Sequence, residues 1–337
     1  MKLTKVFITL LILLSFLSMQ GFIEAGTSPK TFKGIKQIKI KTMSSNCEVI
    51  KARKKNVVVQ FHVPGEKDCF TPKIERLEGD ILVISNNFMA NKCDGEITWK
   101  IEAPDGIQID FSSISGDFSL KDVDASISAK TVSGRLTVTD CKGKIKGKSI
   151  SGDCTANNVS GDIFITSVSG DCEIVDGDGN IKVKSASGDI VANQVTGKMT
   201  LKVASGEIRC QKGNGEFVIK NASGDINVTD MILTNASVAK GASGDITINL
   251  KKSLKYNLTL STASGDVTLD YSGNPIKGHF EFIVAKDNGS IVCPFAFDKE
   301  EEFEKWGKRF VKKSFSKGGK SPKISIKTAS GKAILKK

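Results

Sequence analysis

The sequence predicts an all-β fold, a single-stranded parallel β-helix or β-solenoid with about 18 residues and two short strands per coil, carrying a helical insertion near the C-terminus. Three observations carry this prediction. Glycines stand at 134, 143, 152, 161, 170, 179, 188, 197, 206, 215 and 224, a nine-residue register without a break, and Gly116 extends it two steps back with Ala125 between. Around each glycine the residues two before, two after and four after are mostly apolar, as in Val159, Ile163 and Ile165, while those between are mainly Asp, Lys, Thr, Asn or Ser. Alternation over four or five residues marks a short strand with one dry face. Ser-Gly pairs recur in every second unit, at 133–134, 151–152, 169–170, 187–188, 205–206 and 223–224, which sets one coil at two half-turns of nine.

Strands this short also suit hairpins, but hairpins reverse direction at each turn and draw on Asn-Gly or Asp-Gly pairs. Here one turn chemistry recurs in one sense. Winding then stacks equivalent residues about 4.8 Å apart. Ile190, Ile208 and Ile226 fall in one core column, continuing that of Leu136, Cys154 and Cys172. The structural turn ladder of Gly134, Gly152, Gly170, Gly188, Gly206 and Gly224 takes corners where a β-carbon would obstruct. The Asp that follows glycine accepts backbone N–H bonds in the turn.

Taken from the N-terminus, Lys2 and Lys5 precede an apolar run from Val6 to Met19, and Ala25 stands before Gly26, the pattern of a signal peptide at 1–25. Its cleavage removes Lys2, Lys5 and Glu24, so a net charge of +12 becomes +11. Beyond it no apolar stretch is long enough to span a bilayer, so no transmembrane span is expected after cleavage. Residues 26–110 read as irregular β coils, in which Thr42-Met-Ser-Ser-Asn-Cys echoes the repeat with Ser45 in the glycine place. The regular half-coils occupy 111–270, with Ser-Gly returning at 243–244 and 264–265 after longer loops. Residues 271–320 lose the register, and 321–337 regain it as a terminal coil.

Within that insertion, residues 298–313 read as an amphipathic helix. Asp298 and Glu301 form a capping pair, acids crowd the start, and Lys308, Arg309, Lys312 and Lys313 crowd the end. Phe303, Trp306 and Phe310 then share a stripe, expected to cover an open edge of the stack or to meet a partner.

Chemistry-bearing motifs are few. The eight cysteines are 47, 69, 93, 141, 154, 172, 210 and 293; Cys69 and Cys93 flank irregular strands and are the expected disulfide, while Cys154 and Cys172 fall in core columns. Asp153, Asp171, Asp189, Glu207 and Asp225 form an 18-residue carboxylate ladder, but one glycine per unit does not make the several-glycine loop of a calcium roll. No catalytic residue, cofactor site or metal site is read: the two histidines, His62 and His279, lie outside any metal or nucleophile motif. Positive charge suits an anionic polymer or a membrane surface. Lysines are spread along nearly every segment without a recognition helix, so no nucleic acid is expected as partner.

The early Ile-Lys-Ile-Lys-Thr strand, the approach Ile101-Glu-Ala-Pro-Asp-Gly106, the Val-Ser-Gly-Asp units and the closing Pro322-Lys-Ile-Ser-Ile-Lys-Thr-Ala-Ser-Gly segment together resemble the adhesin-like DUF4097 family, related to DUF2807, over about residues 33–335. The resemblance implies a bacterial, right-handed β-solenoid and brings no catalytic residues. Expected, then, is an exported adhesin-like binding or scaffold protein, periplasmic, surface-bound or secreted, whose partner is an envelope protein or an anionic glycan. A structural envelope component acting through protein contacts, and a polysaccharide-processing enzyme with paired carboxylates in a groove, are the alternatives.

Overall fold

The computed structural model describes residues 28–62, 70–77, 80–88 and 97–337, and every long regular element among them is a strand. The 1–25 segment, Cys69 and Cys93 lie outside the described residues. No described helix is long and apolar enough to cross a membrane.

The strands stack in two columns, here called back and front. Leu136–Lys148 runs through both, giving residues 136–139 to the back and 145–148 to the front. Pairing in the regular region is parallel with an offset of one coil: Leu136 faces Cys154, Cys154 faces Cys172, Cys172 faces Ile190, and Ile208 and Ile226 follow in turn. Each of these side chains is buried. A column of this kind adds about 1.5–3 kcal/mol of apolar burial per large aliphatic layer, which is why the repeat retains Ile, Val and Leu at inward positions.

The two corners of a coil differ in one residue. In the front-to-back corner a Ser or Thr three before glycine turns inward, and its Oγ accepts the glycine N–H: Thr131 from Gly134, Ser149 from Gly152, Ser167 from Gly170, at 2.8–2.9 Å. In the back-to-front corner the same place holds Asp140, Asn158, Asp176 or Gln194 with φ of 49–56°. Asn and Asp tolerate this left-handed backbone better than other side chains. Consequently the next residue goes inward at Cys141, Val159 and Val195 but outward at Val132, Ile150 and Val168.

Stack order departs from chain order at both ends. The first coil, Gln37–Lys41 with Asn46–Lys51, lies between Ile107–Ser112 with Phe118–Lys121 on one side and Ile81–Phe88 with Thr98–Ala103 on the other. Likewise the last strand, Lys323–Lys336, fills the layer between Leu258–Ser264 with Val267–Asp270 and the outer pair Gly278–Ala285 with Gly289–Val292. Antiparallel strands close the outer layers: Phe70–Leu77 on Ile81–Phe88, Asn56–His62 on Thr98–Ala103, and Lys308–Lys317 on Gly278–Ala285. Such pairing occupies backbone groups that an open parallel edge would leave free.

The expected helix at 298–313 is absent; the segment is a β-hairpin of Lys299–Lys305 and Lys308–Lys317. The charge pattern read as a helix dipole match is mirrored about the turn instead. Glu300 faces Lys313, Glu301 faces Lys312, Glu304 faces Arg309, and Phe303 faces Phe310 with ring centroids 5.6 Å apart. Trp306 and Gly307, with φ of 51° and 69°, form the two-residue turn. Asp298 is no helix cap: its carboxylate accepts the Ser316 N–H at 2.8 Å.

Candidate binding face

The positive charge is concentrated by the coil geometry. The residue four before the corner glycine points outward from the front sheet, and across eleven successive layers this place holds Lys41, Ser112, Lys130, Lys148, Thr166, Lys184, Lys202, Lys220, Lys240, Ser261 and Lys327. Eight lysines thus stand in one row about 48 Å long, ten steps of about 4.8 Å. Lys39, Lys144, Lys146, Lys182 and Lys198 add to the same face, against Asp110, Asp162 and Glu216. Among the described residues Lys198 pairs with Glu216 at 2.8 Å and, at the far end, Lys327 with Glu281 at 3.6 Å. The back sheet turns mainly uncharged Thr137, Thr155, Asn157, Asn227, Thr247 and Asn249 outward. Like charges opposite one another on a sheet repel, so the row is held at a cost in stability.

Beside the lysines, two residues further along the chain, runs an apolar ridge. Met43, Ile114, Val132, Ile150 and Val168 are 41–50% exposed, and backbone bonds stack them: Ile114 N–H to Met43 C=O, Val132 to Ile114, Ile150 to Val132. From the next layer the place belongs to Ala186, Ala204, Ala222, Ala242, Ala263 and Ala329. The alanine end lowers the corner, and there the hairpin brings its aromatics. Phe303, Trp306 and Phe310 line an open groove of about 270 Å³ together with Ala263, Ala329, Ile283, Lys305 and Lys327. Trp306 is 86% exposed, with Lys305 Nζ 4.2 Å from its ring centroid. The hairpin extends the front sheet past its last parallel layer, and its base is tied by Lys312 to Glu281 at 2.8 Å. Burial alone would raise the Glu281 carboxyl, but Lys312 and Lys327 outweigh it and hold it below the usual carboxylate range.

The other chemically suggestive groups have structural work. Asp153 accepts the N–H of Asp171, Asp171 that of Asp189, and Asp189 that of Glu207, at 2.8–2.9 Å. These carboxylates therefore bind the next coil rather than their own turn. At the back-to-front corner Asp122, Asp124, Asp140, Asp176 and Asp178 line an open groove of about 980 Å³ with Lys51 and Lys142. Among the described residues no cluster of His, Cys, Asp and Glu is placed to hold a metal ion. Cys154 and Cys172 are adjacent, buried and unbridged. Burial pushes the Cys210 thiol up to about 12 and Cys141 up to about 11, so these thiols pack as small apolar groups. His62 pairs with Thr98 in the N-terminal capping strands and His279 with Ser316 in the C-terminal ones, so the two histidines are not brought together.

Reading the repeat as a dry face at every unit missed the ridge, and calling the lysines dispersed missed the row. Both were signalled by the phrase Lys-x-(Ile/Val/Ala)-Ser-Gly, which occupies only the Ser-Gly half of each coil.

Residues 121–281 match the family model Toastrack DUF4097. No curated protein matches the chain. Among solved structures, the chain is similar to a "putative cell adhesion protein" of Clostridium sporogenes at 11% identity and a TM-score of 0.21, over 93% of this chain and 98% of that one. It is similar to a "putative lipid binding protein" of Parabacteroides distasonis at 10% identity and a TM-score of 0.30, over 94% and 99%. A "putative adhesin" of Parabacteroides merdae follows at 13% identity and a TM-score of 0.23, over 74% and 89%. Likenesses this distant carry nothing about a ligand.

Proposed function

We propose that this chain, whose residues 121–281 match the Toastrack DUF4097 family, is an exported, non-catalytic binding scaffold that docks on an anionic surface through its front sheet. One observation carries the reading: eight lysines share a single row, with Lys148, Lys184, Lys202 and Lys220 among them, on a chain whose acids lie mostly elsewhere. A stack of charges that repel in the free protein is relieved when a polyanion lies along it, with release of the counterions that screen it. Export rests on the leading Lys2–Ala25 pattern. The solenoid holds the row in register from layer to layer on regular strands, so binding requires no folding of loops.

The test is retention on a sulfated polymer such as dextran sulfate, measured against salt. Replacing Lys148, Lys184, Lys202 and Lys220 by Gln should abolish retention at physiological salt, while replacing Lys54, Lys55, Lys252 and Lys255 should change it little. Equal loss from both sets would reduce the effect to net charge and remove the case for a built face.

A further inference from the structure

The geometry points to an anionic lipid bilayer as the surface bound, with the ridge and the Trp306 hairpin entering its interfacial layer beside the lysine row. This rests on the reading of the front sheet as an anion-binding face and names its ligand. Three different chemistries lie along one edge of the solenoid. Lysines form the row, branched aliphatics Ile114, Val132, Ile150 and Val168 flank its first half, and Trp306 stands at its far end. A soluble polyanion would neutralise the lysines and leave the aliphatics and the tryptophan in water. A bilayer offers anionic headgroups and, just beneath them, an apolar layer, in one plane long enough to meet the whole edge.

Trp306 is the sharpest part of the argument. A two-residue hairpin turn with positive φ is ordinarily built from Asn, Asp or Gly. Here the first position is a tryptophan, 86% exposed, so neither turn geometry nor core packing accounts for it. Indole is the side chain most at home at the membrane interface. Two acids of the hairpin are matched, Glu300 by Lys313 within it at 3.0 Å and Glu302 by the neighbouring Lys286 at 2.6 Å, while Glu304 faces Arg309 and Lys305 and Lys308 flank the tip. The carboxylate ladder of Asp153, Asp171 and Asp189 lies past the Ser-Gly turn, toward the back sheet. An anionic surface therefore meets the protein from the lysine side only.

The experiment uses the full chain with vesicles of phosphatidylcholine alone or mixed with phosphatidylglycerol, and reads tryptophan emission. The chain has two tryptophans, and Trp99 is fully buried, so a blue shift and quenching by brominated lipid report Trp306. Because the readout is local, attachment through the leading apolar run alone does not produce it. Expected are a shift and quenching with anionic vesicles, none with neutral ones, and none with dextran sulfate. Each lysine of the row changed to Gln should lower partitioning about fivefold, the factor equivalent to about 1 kcal/mol. Read by co-sedimentation with vesicles, since W306S removes the fluorescent reporter, I150S/V168S and W306S should each weaken vesicle binding while leaving dextran sulfate retention intact. Retention on dextran sulfate with an unshifted, unquenched Trp306 would overturn the bilayer and leave the anion-binding face standing. Binding to neither would overturn both. Circular dichroism and thermal melting verify that the variants, none at a buried position, are folded.

Discussion

A β-carbon added to Gly170 would lie 2.2 Å from the carbonyl oxygen of Gly152, one coil away. The same contact recurs from Gly116 on Ser45 to Gly331 on Gly265, so the corner is as narrow as backbone allows through the whole stack.

Two glycines in neighbouring coils should accordingly answer substitution in opposite directions. Gly170→Ala is expected to lose about 3 kcal/mol, because the obstruction is backbone and cannot rotate away. Gly147→Ala meets only Ile165 and Leu136 side-chain atoms at 3.7 Å, without a positive φ, and should gain about 0.4–1 kcal/mol from the less flexible unfolded chain. Urea midpoints of the two variants check this.

The lysine row should show binding and stability moving apart. Changing Lys148, Lys184, Lys202 and Lys220 to Gln relieves like-charge neighbours and should raise stability by about 0.2–1 kcal/mol per relieved pair, more at low salt. The same variant should lose its anionic ligand. A melting temperature that fell instead would show that these lysines hold the sheet together.

Acid should loosen the C-terminal cap. Glu281 has a carboxyl pKa depressed in the fold, so its stabilising contribution is present above the unfolded value, about 4.3, and is lost as pH falls through the lower folded value. The stability gap between the wild type and Glu281→Gln should be constant from pH 7 to about 5 and close below about 4. A gap unchanged at pH 3 would mean that Lys312 and Lys327 do not act through that charge.

Truncation after Lys320 should do more damage than its length implies. It removes Lys323–Lys336 from an inner layer, leaving Leu258–Ser264 and Gly278–Ala285 without their common partner. Hydrogen exchange should show protection lost in both flanking strands, whereas Ala125–Lys130, many layers away, should stay protected. Loss confined to Gly278–Ala285 would mean that the stack closes without the inserted layer.

The hairpin at 299–317 shows why one segment escaped the sequence. Phe303, Trp306 and Phe310 stand three and four apart, which satisfies a helix face, and the acid-to-base gradient satisfies a helix dipole. The same gradient folded back at Trp306-Gly307 places Glu300, Glu301 and Glu304 opposite Lys313, Lys312 and Arg309, and an open sheet edge at Gly278–Ala285 rewards the extended form. Local preference did not decide between them; the neighbouring edge did.

The coil length, the inward columns from Leu136 to Ile226 and the glycine corners followed from the sequence alone, because a repeat that stacks on itself makes each residue's surroundings a function of its register. Which strands close the stack, where the first and last coils insert, and that Val132, Ile150 and Val168 face water beside a lysine row were decided by tertiary structure. These depend on contacts between segments with no periodic relation, and on a Ser or Asx corner whose direction appears only once the backbone has turned.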